Sequence, residues 1–144
     1  MKQLISDKQN SVLVFGVFDK LHPGHREFLK QARNRAKKLD AKLVVVIAPD
    51  KAVWEIKHRM PHYTDKSRAS RIRRLAYVDE VVLGDEIQGR HSAILAYKPV
   101  LIALGYDQKG FDEHLRAWMA VNGLNIKLER LEAFEPERYK SSKM

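Results

Sequence analysis

Cysteine is absent from this 144-residue chain, which excludes a disulfide scaffold and any thiolate-ligated metal site. That absence is compatible with a reducing compartment. Acidic residues are the minority charge, with 18 Asp and Glu against 27 Lys and Arg and a formal charge of +9. A balance of that sign favours anionic partners, whether nucleotides, phosphorylated metabolites, nucleic acid or membrane headgroups, and does not choose among them. No apolar run approaches the roughly 18 residues of a membrane span, and Met1 to Asn10 lacks the apolar centre of a secretory signal. Internal repeats, low-complexity tracts and linkers are lacking too. The expectation is a cytoplasmic protein with no membrane partner, residues 1–144 forming a single domain. Apolar residues make up 44%, enough for a core at this length.

What the sequence does contain is an alternation. Ser11–Phe18 and Lys42–Ala48, with continuous apolar stretches, read as buried strands, and Glu80–Leu83, Val100–Leu104 and Asn125–Leu131 as three further strands. Between them lie helical stretches: Pro23–Leu39, Asp50–Ile56, Asp65–Ala76, Ser92–Tyr97 and Phe111–Val121. Strands that alternate with helices predict an α/β fold, a Rossmann-like, doubly wound, parallel five-stranded sheet with helices on both faces. Ligands of such sheets bind beyond the carboxyl ends of the strands, beside the point where strand order reverses. Residues that directly follow strands are therefore the ones to read for chemistry.

Two clusters do follow strands. The first reads GVFDKLHPGH, from Gly16 to His25. Gly16 ends the strand without a side chain, so a ligand can approach the backbone. Pro23 suits the first position of a helix. His22 then sits at the cap and His25 in the first turn, flanking a helix N-terminus that already favours anions. Gly24 keeps the approach open. Polyphosphate is the natural guest, and two imidazole donors aimed at one phosphorus would stabilise charge developing there. A metal pair completed by Asp19, or two ordinary surface histidines, are the competing readings. The second cluster is Gly105-Tyr106-Asp107-Gln108. Asp107 and Gln108 offer donors and acceptors suited to a base edge. A plain strand-to-helix turn would use the same residue types.

GVFDKLHPGH resembles the signature of the cytidylyltransferase-like nucleotidyltransferase superfamily, G-[TSV]-F-D-x-L-H-x-G-H. The resemblance implies that His22 and His25 contact the triphosphate and stabilise the pentacovalent α-phosphorus. It gives Asp19 a part in holding the loop and the metal-nucleotide, with Gly16, Val17, Phe18 and Gly24 around the nucleotide. It also implies that Gly105, Tyr106, Asp107 and Gln108 contact the nucleotide, and their Gly-x-Asp-Gln form is similar to archaeal-type FAD synthases. The remaining family features match less closely. Lys57 stands where the family has a phosphate-reaching lysine, although Lys51 and Arg59 are near it. Arg68 matches a family arginine, whereas a second one is replaced by Ala76. Ser141 and Ser142 match part of a last motif that begins a helix over the phosphates, and Met144 leaves that helix at most begun.

The resemblance implies transfer of a nucleoside monophosphate from a triphosphate to a phosphorylated acceptor, with release of pyrophosphate. The expected substrates are ATP and FMN, giving FAD. CTP or ATP with an alcohol or sugar phosphate, such as glycerol phosphate, is the alternative. The length leaves no separate kinase domain to make the FMN. Mg²⁺ is expected to ride on the triphosphate with no dedicated protein metal site. Trp54, Tyr63 or Trp118 would supply a surface for the acceptor's ring. A homodimer is compatible with the sequence and not specified by it. A basic nucleic-acid-binding module is the reading of another class. It would use the helix face Arg26–Lys38 and the arginines at 68–74. No aromatic platform interleaves with those charges, so nucleic acid is not the expected partner.

Overall fold

In the computed structural model, which describes residues 9–106, 108 and 110–132, the chain forms one parallel sheet. Its strands are β1 (Asn10–Gly16), β2 (Ala41–Ile47), β3 (Glu80–Leu83), β4 (Leu101–Leu104) and β5 (Lys127–Arg130), in the order β3-β2-β1-β4-β5. Every neighbouring pair is parallel. The order reverses between β1 and β4, which places the crevice between their ends. The Rossmann-like five-stranded sheet expected from the alternation is the fold observed.

The helices are α1 (Pro23–Lys38), α2 (Asp50–Lys57), α3 (Asp65–Arg73), α4 (Ser92–Tyr97) and α5 (Phe111–Val121). Two hydrophobic clusters show how they cover the sheet. Val12 and Val14 of β1 pack with Leu29, Ala32 and Ala36 of α1 and Ala69 and Ile72 of α3. Leu13 and Phe15, one residue out of phase, pack with Ile94 of α4 and Leu115 of α5 on the other face. The period-two alternation of β1 thus feeds two cores, which is why its run is apolar without a gap. The basic residues Arg35, Lys37 and Lys38 in the last turn of α1 suit the negative end of its dipole.

Three elements depart from the sequence expectation by more than one residue at an end. β1 stops at Gly16 because Phe18 turns into the left-handed region (φ 50°) and buries its ring. The helix expected over 65–76 ends at Arg73. There the chain turns so that Leu75, Tyr77 and Val78 pack against the core. β5 is shorter than expected because it pairs only with the four residues of β4.

Candidate active site

The turn after β1 is held from behind. A Cβ on Gly16 would stand 2.5 Å from the Phe18 ring, so the missing side chain makes room for that ring, and Gly16 itself lines the open cavity. Asp19 accepts hydrogen bonds from the amides of His62 (2.7 Å) and Tyr63 (2.9 Å), tying this turn to the segment before α3. Burial opposes ionisation of Asp19, but those two amides and the charge of Arg68 outweigh it and hold the carboxyl below its ordinary value. Arg68 is fully buried. Its guanidinium donates to the Tyr63 carbonyl (3.0 Å), the Val17 carbonyl (2.9 Å) and the Asp50 carboxylate (2.8 Å). It therefore braces the turn from inside the protein and does not line the open cavity.

On this frame sits the head of α1. His22 is its N-cap: Nδ1 accepts from the amides of Gly24 (3.1 Å) and His25 (3.4 Å). A capping nitrogen must be bare, so neutral His22 carries its proton on Nε2. His25 stacks on His22 with ring centroids 3.7 Å apart and planes 22° apart, and the Phe18 ring meets His25 edge-on at 5.4 Å. Burial, then the charge of His22, push the His25 pKa down to about 4, with the Lys20 carbonyl acting the other way. Without a ligand His25 is thus held short of charge, and an anion at the helix head would favour its protonation.

The pair opens into a cavity of about 930 Å³, within the range typical of small-molecule sites. The same cavity reaches Gly105, Tyr106 and Gln108, so the two sequence clusters share one crevice. Val17, Phe18, Asp19 and Gly24 also line it. Lys57, the last residue of α2, and Arg59 line it as well, and both are exposed. The Gln108 carboxamide is engaged with backbone: Oε1 accepts from the Gly105 amide (2.7 Å) and Nε2 donates to the Phe15 carbonyl (3.1 Å). The β1–β4 register covers only Val12↔Leu101 and Leu13↔Ile102, so Gln108 bridges strand ends beyond the ladder. Arg130 of β5 braces the same turn by donating to the Gly105 carbonyl at 2.9 Å. Asp107, Ser141 and Ser142 lie outside the described residues.

Of the three aromatic candidates, Trp118 and Tyr63 sit against residues that line the cavity, through the rings of His91 at 5.0 Å and His62 at 4.5 Å. Trp54 is half exposed and outside the lining. Tyr63 is covered by the Arg71 guanidinium, 3.6 Å from its ring centroid. Sequence reasoning missed His91 and His114, which line the cavity with Nε2 atoms 2.9 Å apart. The signal available was position, because the segment from Gly84 to His91 also follows a strand.

Together these features define a parallel-sheet nucleotide site, with paired histidines at a helix head beside the switch point. A family model described as cytidylyltransferase-like matches residues 13–144, and the chain belongs to that nucleotidyltransferase family. Among curated proteins it is 38% identical over 140 residues to an FAD synthase of Pyrococcus horikoshii, covering 96% of this chain and 92% of that one. It is 39% identical over 123 residues to an FAD synthase of Korarchaeum cryptofilum, covering 85% and 82%. A solved structure, a lipopolysaccharide core biosynthesis protein from Thermoplasma volcanium, superposes with a TM-score of 0.76 at 34% identity, covering 88% and 98% of the two chains.

Proposed function

We propose that this chain transfers the adenylyl group of ATP to FMN, forming FAD and pyrophosphate. The observation that carries the transfer step is the stacked His22–His25 pair at the head of α1, opening into the cavity that the β4 turn shares. The choice of acceptor is supported by the FAD synthases to which the chain is similar over most of its length.

A phosphate oxygen of FMN attacks the α-phosphorus of ATP in line, and the bond from that phosphorus to the bridging oxygen breaks, releasing pyrophosphate. The FMN phosphate is already ionised near neutral pH, so no strong general base is required. His22 donates from Nε2, its tautomer fixed by the cap, and His25 donates from the neighbouring ring to oxygens of the α-phosphate. Charge developing on those oxygens meets donors that are already oriented. Lys57 or Arg59 at the cavity rim neutralises the departing phosphates.

A divalent cation, Mg²⁺ in this reading, travels on the triphosphate and offsets its charge. Among the described residues no three His, Asp or Glu side chains are grouped to hold a metal, and both Asp19 oxygens already accept backbone amides. Residues 1–144 act in this reading as one domain in the cytoplasm. None of the described helices is long and apolar enough to cross a membrane. The nucleic-acid reading loses support because Arg33 and Arg35 of the basic α1 face pair with Asp79 and Glu129.

The test is chromatographic. Incubated with ATP, FMN and Mg²⁺, the purified protein should yield FAD and pyrophosphate in equal amounts. Turnover of CTP with glycerol phosphate, and none of FMN, would replace the acceptor and leave the histidine chemistry standing. No pyrophosphate with any acceptor would remove the enzyme reading.

A further inference from the structure

A second histidine pair stands in the same cavity, built by chain segments that the phosphate site does not use. His91 precedes α4 and His114 lies in α5. His91 occupies the N-cap position in the left-handed region, with φ 50° and ψ 48°. That conformation is uncommon for a residue with a side chain. Its imidazole does no capping. The carboxylate of Asp85 takes that role, accepting from the Ser92 amide and hydroxyl, each at 2.7 Å. The His91 ring is instead enclosed by four others: His114 and Trp118 at 5.0 Å, Phe111 at 6.0 Å and Phe15 at 6.3 Å between centroids.

The surroundings of this pair differ from those of the phosphate site, because the Asp85 carboxylate already takes the amide at the adjoining helix start. The two Nε2 atoms lie 2.9 Å apart, so one carries the shared proton and the other accepts it. Burial, then the charge of His114, lower the His91 pKa, with Asp85 acting the other way. A histidine pair set among aromatic rings, with a carboxylate rather than open amides at the adjoining helix start, suits a neutral, planar heterocycle better than a phosphate. Its mutual hydrogen bond can be exchanged for one donor and one acceptor contact to such a ring.

We propose that the His91–His114 pair, with Phe111 beside it, forms the subsite for the flavin ring of the acceptor. The isoalloxazine is uncharged and flat, and its pyrimidine edge carries carbonyl acceptors on either side of an N–H donor. That pattern matches one bare and one protonated imidazole nitrogen. The opposite, methyl-bearing end of the ring is apolar and belongs against aromatic carbon. The subsite adjoins the β4 turn, where the Phe111 amide donates to the Gln108 carbonyl at 3.3 Å, and that turn, braced by Arg130 from the β5 edge, remains for the nucleobase. This assignment rests on FMN being the acceptor.

The experiment measures FMN binding to the full chain by quenching of flavin fluorescence, together with steady-state kinetics for each substrate. The variants are His114→Ala, at an exposed position, and His91→Asn, which keeps a residue tolerant of the left-handed backbone. Both should raise the Kd and KM for FMN up to about 10-fold, the scale of losing one hydrogen bond to the ring edge. The KM for ATP should stay within about twofold, and lumiflavin, which lacks the phosphate, should lose its competition with FMN in the same proportion. Wild-type synthesis of FAD with unchanged FMN affinity in both folded variants would overturn the subsite and leave the proposed reaction intact. A loss confined to ATP would reassign the wall to the nucleobase and overturn it equally. Failure of the wild type to bind FMN or make FAD would remove the proposed reaction, and the subsite with it.

Discussion

The cavity holds two histidine pairs made in opposite ways. His22 and His25 come from one turn, lie nearly parallel, and take their orientation from the helix they cap. His91 and His114 come from two segments 23 residues apart, meet at 66°, and hold each other by a single hydrogen bond. His22 at its cap position caps; His91 at its cap position does not. The contrast teaches that a position within a helix does not fix what a side chain does. Asp85 relieves His91 of capping, whereas His22 itself accepts the Gly24 and His25 amides. The first pair is therefore rigid and suited to a transition state, and the second is free to trade its bond for a ligand.

The largest expected effect comes from breaking the frame behind the first pair. Arg68→Met removes a buried cation from three acceptors and leaves Asp50 without its ion-pair partner. Breaking a buried pair from one side costs about 3–5 kcal/mol. Urea denaturation should show a loss of that size, and the second pair's contacts should be unaffected in any molecules that remain folded. A loss below about 1 kcal/mol would mean that Arg68 is solvated in solution.

Next in size is the acid response of His25. Its folded-state pKa of about 4 lies below the ordinary 6.5, so the unfolded chain binds more protons between those values. The contribution is complete above about pH 6.5 and is lost as pH falls towards 4. A shift of that size corresponds to about 3 kcal/mol. His91, lowered in the same direction, adds to the loss. Denaturation at pH 7.5 and 4.5 should give a smaller drop in His25→Asn than in wild type. Equal drops would show that His25 is not held neutral.

The direct comparison of the pairs is kinetic. His22→Ala and His25→Ala should each lower turnover by about 100-fold or more, the scale of a single charge-stabilising donor, with nucleotide binding less affected. His22→Asn keeps a good N-cap and loses the Nε2 donor. It should be as slow as His22→Ala while melting closer to wild type. Recovery of turnover in His22→Asn would reduce His22 to a structural cap.

The first pair was legible in the sequence because all its determinants are local. Pro23, Gly24 and the two histidines lie within four residues, and the strand before them is an uninterrupted apolar run. The sheet was legible for the same reason, and its boundary errors arose where packing overrode pattern, as at Phe18 and Leu75. The second pair was not legible. Nothing in the sequence says that His91 will meet a residue of α5, because that contact is made by both helices packing on one face of the sheet. Arg68 was visible as a family arginine, but its burial depends on the Val17 and Tyr63 carbonyls, and sequence spacing cannot aim a backbone oxygen.

Gln108 gives the smallest effect and the sharpest distinction. Read from sequence it faces a nucleobase; in the structure its carboxamide spans the ends of β1 and β4. As a strut it acts through the Gly105 turn, so its loss should loosen ATP and CTP alike. Gln108→Leu removes two hydrogen bonds to backbone, worth about 0.5–1.5 kcal/mol each. Stability should fall by about 1–3 kcal/mol for the two together, and the KM for ATP should rise severalfold with turnover little changed. Gln108→Glu keeps an acceptor for the Gly105 amide but sets a carboxylate against the Phe15 carbonyl, and should be worse than Leu. A base-reading side chain behaves differently, because the amide has one N–H and one lone pair left for a ligand. Its loss would change the ratio of ATP to CTP use and leave stability alone. Measuring both nucleotides in both variants separates the two, since a strut moves KM without moving preference and a reader moves preference first.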